Sequence, residues 1–148
     1  MTDLYVDLDA QRVLPQVLRV AERYSLELYI VTRDYLHADA NVHLILAQED
    51  LPDPGAWIAA NIRQGDICVT ADIGLATSCT LRGAQALSPA GWLWGDRSVH
   101  PALHSAPNPR AVAQRLEATI IAGRAANRVA LVSWRGAART ELGVALAP

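Results

Sequence analysis

GDICVTADIGLA, residues 65–76, reads as one strand running straight into one helix. Ile67, Cys68 and Val69 form a short apolar run of the kind that fills a strand buried on both faces. Asp72 stands where a helix N-cap is expected, and the apolar-periodic stretch from about 73 to 82 ends at Gly83, a natural stop. AQAL, 84–87, is the next strand candidate. Strand, helix, strand over some twenty residues predicts parallel pairing, because parallel neighbours need a crossover connection.

The same unit recurs towards the N-terminus. Residues 3–7 read as a short strand. VLPQVLRVAERY, 13–24, sets Val13, Leu14, Val17, Leu18 and Ala21 at helical spacing. Pro15 fits only close to a helix start, so residues 9–13 are read as an irregular lead-in. LELYIV, 26–31, and NVHLIL, 41–46, are strand candidates. EDLPDPGA, 49–56, is rich in turn residues, and a helix of roughly 56–63 then leads to Gly65. This alternation predicts an α/β fold, a three-layer α/β/α sandwich around a mainly parallel sheet.

The character changes after GWLWGD, 91–96. Residues 1–96 are expected to form the α/β core, and 97–148 a C-terminal segment packing on the same domain. Pro101, Pro107, His100 and His104 give the start of that segment a linker-like composition. Asn108 and Pro109 then suit the N-cap and first position of a helix over about 108–122. Val112, Leu116 and Ile120 share one face of it, and Gly123 is read as its end. Residues 127–148 are not placed by pattern alone.

The chain has 148 residues, enough for one domain with a substantial core. No apolar run approaches the roughly 18 residues of a membrane span. The start, MTDLYVDLDA, has no basic region of a secretory signal, so a cytoplasmic protein without a membrane partner is expected. Cys68 and Cys79 lack metal-ligand spacing and read as reduced core thiols. The net charge of −2 does not advertise nucleic-acid binding. Its distribution is uneven: residues 1–95 carry six Arg against twelve acids, and residues 96–148 seven Arg against three acids. A basic C-terminal third can be a polyanion contact or simply a solvated helix face.

The acids carry the functional question. Asp7 and Asp9 follow the first strand, and Asp72 lies two residues beyond the DICVT strand. Ligands of open parallel sheets bind outside the carboxyl ends of the strands. If the two strands are neighbours, the three carboxylates converge on one rim. There they need a counter-charge, ordinarily a hard divalent cation, Mg²⁺ or Mn²⁺. Such a site suits metal-assisted phosphodiester hydrolysis. The competing reading makes Asp9 and Asp72 helix caps, which leaves Asp7 as the acid with no obvious capping role. The four histidines lack zinc spacing, no Gly-x-Ser-x-Gly elbow surrounds Ser78, and no glycine-rich phosphate loop occurs. Trp57, Trp92, Trp94 and Trp134 can stack on bases, but in a chain without Phe they first serve as its large aromatics.

Two segments in order, VDLDAQRVLPQVLRVAER (6–23) and GDICVTADIGLATSCTLRGAQALSPAGWLW (65–94), resemble the bacterial YaiI/YqxD family, also called UPF0178 or DUF188. The resemblance covers about residues 3–95. It implies a PIN-like fold, since the family is similar to PIN and NYN ribonuclease domains. It also implies an acidic metal pocket containing Asp7, Asp9 and Asp72, with Mg²⁺ or Mn²⁺ as cofactor and single-stranded RNA as the expected partner. A homo-oligomer is compatible with it. The chain departs from the family pattern in three places. Gln11-Arg12-Val13-Leu14 replaces a motif ending in lysine, so Arg12 is the candidate phosphate contact. Pro54-Gly55-Ala56 stands where the family has Ala-Asp-Asp, so one acid is lost unless Asp50 or Asp53 takes its place. The family's C-terminal segment is not recognisable after residue 96. Two functions therefore stand: a divalent-metal-dependent nuclease, and a catalytically inactive binding module on the same fold.

Overall fold

The structure is a computed structural model. It describes residues 2–34, 36, 39–47, 53–95 and 106–141, with 129–141 as helix backbone. The elements run β1 (Leu4–Val6), a 3-10 helix (Leu8–Val13), α1 (Leu14–Arg23), β2 (Leu28–Thr32), β3 (Val42–Leu46), α2 (Pro54–Asn61), β4 (Ile67–Val69), α3 (Ile73–Leu81), β5 (Gln85–Leu87) and α4 (Pro109–Glu141). Every strand of the sheet is parallel to its neighbours, in the order β3-β2-β1-β4-β5. The expected three-layer α/β sandwich is what forms.

The strand order fixes where the helices lie. From β1 the chain winds outwards through α1 to β2, and from β3 it crosses back through α2 to β4 and on through α3 to β5. Right-handed crossovers in opposite directions put α1 on one face and α2 and α3 on the other. The core agrees: Tyr5, Val31 and Cys68 of the sheet pack in one cluster with Ile58 and Ile62 from the α2 segment and Leu75 and Cys79 of α3. Strand alternation sends Leu4, Val6, Ile30, Ile67 and Val69 to the opposite face, all of them buried. Both cysteines are free and buried, as their setting in the sequence predicts.

Local chemistry accounts for the helix starts. Pro54 and Pro109 occupy the first turn, where no N–H is needed, behind Asp53 and Asn108. The Asp53 carboxylate accepts from the Ala56 N–H at 3.1 Å, and the Asn108 side-chain amide oxygen, Oδ1, accepts from the Ala111 N–H at 3.1 Å. The irregular lead-in expected before α1 is the 3-10 helix, broken at Ala10.

The last helix differs from expectation. It does not stop at Gly123 but continues to Glu141. A glycine inside a helix costs only about 1 kcal/mol against alanine, and the residues that follow, Arg124 to Ala126, favour helix. By compactness the chain falls into Met1–Glu117 and Ala118–Pro148, and the described part of the second unit is the continuation of α4. The boundary expected at residue 96, most of the linker-like stretch, and His37, His100 and His104 lie outside the described residues. Among the described residues no helix is long and apolar enough to cross a membrane.

Candidate functional site

The two directions of winding part between β1 and β4. Ligands of open α/β sheets collect at such a switch point, outside the carboxyl ends of the strands. Asp7, Asp9, Thr70 and Asp72 all emerge there, so the carboxylates singled out in the sequence do meet around one turn.

Asp7 continues β1 by one more rung, its N–H donating to the Val69 carbonyl at 3.0 Å. Its side chain is buried. One carboxylate oxygen accepts from the Leu8 N–H at 2.8 Å, and the other from the Thr70 hydroxyl at 2.9 Å. Asp7 therefore caps the 3-10 helix, a role its sequence context had not shown. Thr70 is fully buried, and its hydroxyl oxygen accepts from the Asp72 N–H at 3.0 Å while its proton goes to Asp7. The Trp94 indole N–H donates to the Thr70 carbonyl at 2.9 Å and closes the turn from the far side.

Asp72 caps α3 as expected, accepting from Gly74 N–H at 2.8 Å and Leu75 N–H at 3.4 Å. Asp9 does not cap α1. Its carboxylate reaches across to accept from the Ala71 N–H at 3.1 Å, which ties the 3-10 helix to the turn after β4. Asp9 is exposed as a residue, but neighbouring protein partly desolvates its carboxyl and raises its pKa, and the nearby charges of Asp7 and Asp72 push the same way against the Ala71 hydrogen bond. No cation figures in that balance. Among the described residues no ion pair reaches Asp7, Asp9 or Asp72. Arg12 is exposed at the end of the 3-10 helix and makes no ion pair with the acids.

Beside Asp72, a cleft of about 480 Å³ opens between the starts of α2 and α3. Asp53 and Ala56 stand on one wall, Asp72, Gly74, Leu75 and Ser78 on the other. Asp53, the cap of α2, lines this cleft opposite Asp72, while Asp50 lies outside the described residues. Thr70 was missed by the sequence reading; a polar residue between a buried strand and a capping acid is the signal that marks it.

The donors are of the right kind for Mg²⁺ or Mn²⁺: hard carboxylate oxygens at a strand rim. They do not form a ready-made cage. Among the described residues no three His, Cys, Asp or Glu side chains stand close enough together to hold a metal ion. Mg²⁺ commonly binds through one or two carboxylates and completes its shell with water and substrate phosphate. Asp72 fits that pattern, because both its capping bonds go to Oδ1 and Oδ2 has no hydrogen-bond partner among the described residues; Asp9 stands beside it with its carboxylate tied to the Ala71 N–H.

Comparison with known proteins gives the chain its relatives. The sequence model of the family described as "Uncharacterized BCR, YaiI/YqxD family" matches residues 5–125. The UPF0178 protein of Rhodopseudomonas palustris (strain HaA2) is 35% identical over 100 residues, 66% of this chain and 61% of that protein. UPF0178 proteins of Rhizobium meliloti (strain 1021) and Rhodospirillum centenum (strain SW) are each 36% identical, over 98 and 107 residues. These cover 65% and 71% of this chain, and 67% and 70% of the relatives. The chain spans about three fifths of the length of the Rhodopseudomonas palustris (strain HaA2) protein it matches. None of these names states an activity. No solved structure matches the chain.

Proposed function

The chain belongs to the YaiI/YqxD family, and from its acidic rim we propose that it hydrolyses phosphodiester bonds, in RNA, with Mg²⁺ or Mn²⁺ bound at Asp9 and Asp72. One observation carries this reading: at the switch point of the sheet the charges of Asp7 and Asp72 both act on the Asp9 carboxylate, and no cationic side chain among the described residues is paired with any of the three. Like charges held together in this way invite a cation.

Asp9 and Asp72 offer carboxylate oxygens as ligands, that of Asp72 without a hydrogen-bond partner among the described residues. Asp7, with both oxygens already hydrogen-bonded, adds its charge from beneath and fixes Thr70, which in turn holds the Asp72 backbone. When bound, the ion would supply charge neutralisation and Lewis-acid polarisation of a phosphoryl group. The cleft between α2 and α3 gives the substrate its approach, with Asp53 on the wall opposite Asp72. Exposed Arg12 and the exposed Arg110 and Arg115 of α4 are available to phosphates along the chain. The PIN-like resemblance of the family supports the same chemistry by analogy of fold alone.

A second reading has its own observation. Asp7, Asp72 and Asp53 each cap a helix and Asp9 ties down a turn, so every acid has a structural task without metal. On that reading the chain is a catalytically inactive binding module.

Thermal unfolding of wild type and Asp72→Asn, with and without millimolar Mn²⁺, separates the two. A ligand that binds only the folded state raises Tm. The nuclease reading expects a Mn²⁺-dependent rise in the wild type that is lost in Asp72→Asn, together with Mn²⁺-dependent cleavage of single-stranded RNA by the wild type alone. Equal curves in all four samples would leave the binding module.

A further inference from the structure

The helices on the two faces of the sheet differ in kind. α1 buries Leu14, Val17, Val20 and Ala21 and turns Arg19, Glu22 and Arg23 outwards. α2 and α3 contain no charged residue at all. α3 buries Leu75, Ala76 and Cys79, yet Ile73 and Leu81 on its other side are 64% and 83% exposed. A helix with apolar residues on both sides is ordinarily covered on both. The hydroxyls of the outer side are already satisfied: Thr77 Oγ1 donates to the Ile73 carbonyl at 2.8 Å, and Thr80 Oγ1 to the Ala76 carbonyl at 2.9 Å. Covering that side strands neither proton.

The outer stripe is symmetric. Ile73 and Leu81 stand four residues before and four after exposed Thr77. Helical geometry sets them about 40° to either side of it. A twofold rotation about an axis at Thr77, perpendicular to the helix, therefore brings Ile73 of one copy beside Leu81 of another, twice over. The charges at the helix ends obey the same symmetry. Asp72 caps the start of α3 and exposed Arg82 stands at its end. Arg82 Nε donates to the Ile62 carbonyl at 3.1 Å, and the guanidinium joins no ion pair among the described residues. Antiparallel pairing sets each Asp72 near the second copy's Arg82 and opposes the two helix dipoles. Parallel pairing would set like charges together at both ends.

We propose that α3 is the interface of a twofold homodimer, two copies packing this helix antiparallel across Thr77. Gly74 and Ser78, which line the cleft beside Asp72, sit about 100° round the helix from Ile73 and Thr77, so the seam runs alongside the cleft. The second copy's Arg82 comes to the edge of the acidic rim, where no ion pair reaches the acids among the described residues. α3 has nine residues and is only about 14 Å long, so the contact is small and the dimer dissociates in the micromolar range. The inference rests on α3 alone and not on the phosphodiesterase reading.

The test is sedimentation velocity of the full chain from about 1 to about 200 µM. The proposal expects the mass of one chain to give way to that of two. Ile73→Asp and Leu81→Lys place charges that suit the two helix ends, so both variants should stay folded by circular dichroism. Each alone should weaken association at least about tenfold. Mixed in equal amounts they should associate again, because the new carboxylate of one copy faces the new ammonium of the other while the second seam keeps Leu81 against Ile73. A wild type that stays monomeric at about 200 µM would overturn the proposal and leave the stripe to a different protein. Folded variants that dimerise as the wild type does, or that fail to associate on mixing, would overturn it as well.

Discussion

The Thr70 hydroxyl donates to the Asp7 carboxylate at 2.9 Å, a bond between residues 63 positions apart that joins the carboxyl ends of the two central strands. The same hydroxyl oxygen accepts from the Asp72 N–H, so one buried side chain links the β1 terminus to the start of α3. Thr70→Val keeps the shape and removes both bonds. Hydrogen bonds to a charged, buried group contribute about 1.5–3 kcal/mol. Urea unfolding should show the variant about 2 kcal/mol less stable, with the slope unchanged.

Asp9 gives a prediction with a definite sign. Its pKa is raised in the folded protein, by desolvation first and then by Asp7 and Asp72. A folded-state carboxyl that binds its proton more tightly than the unfolded one favours folding below its unfolded pKa. That contribution is lost as pH rises through the folded value. Ionised Asp9 is therefore a burden at neutral pH in metal-free buffer. Asp9→Asn can still accept from the Ala71 N–H and sheds the charge. It should melt above the wild type at pH 7, and the gap should close as the pH falls below about 4. A variant less stable at pH 7 would show that the Asp9 charge is compensated by something other than the groups described.

Gly91 sets how closely the turn after β5 approaches the start of α4. Its φ is +98°, and a Cβ built there would lie 2.4 Å from the Ala111 Cβ and 2.9 Å from the Ala111 carbonyl carbon. The neighbour is helix backbone and cannot swing aside. Backbone strain and overpacking together should make Gly91→Ala at least about 2 kcal/mol less stable in chemical denaturation.

The elements were legible in the sequence because their causes are local. Apolar β-branched runs mark β2 and β4, and Asp72 and Asn108 mark helix starts through bonds to N–H groups two or three residues on; α2 instead starts at Pro54, ahead of the expected 56, because Asp53 caps it. The convergence of the acids was legible too, since it follows from parallel neighbours and the position of each Asp after its strand. Their individual tasks were not. Asp7 caps by bonding the very next N–H, outside the usual spacing, and takes its other partner from β4. Asp9 finds Ala71 at a separation of 62 residues. Nothing within a short window encodes such pairings. The Thr70 bond to Asp7 depends likewise on strand order and register.

Gly123 shows the opposite failure, a local signal that the chain overrides. Glycine is common just past a helix end, where a left-handed backbone is wanted. Here α4 runs through it to Glu141, and Gly123 carries no left-handed angle. A Cβ at that position would meet nothing within 4 Å. The two situations respond to one substitution with opposite signs. At a left-handed cap alanine is strained, whereas inside a continuing helix it lowers the entropy of the unfolded chain and improves propensity by about 1 kcal/mol. Gly123→Ala should therefore raise the thermal midpoint and deepen the 222 nm circular dichroism signal. A drop in both would place the helix end at Gly123 in solution.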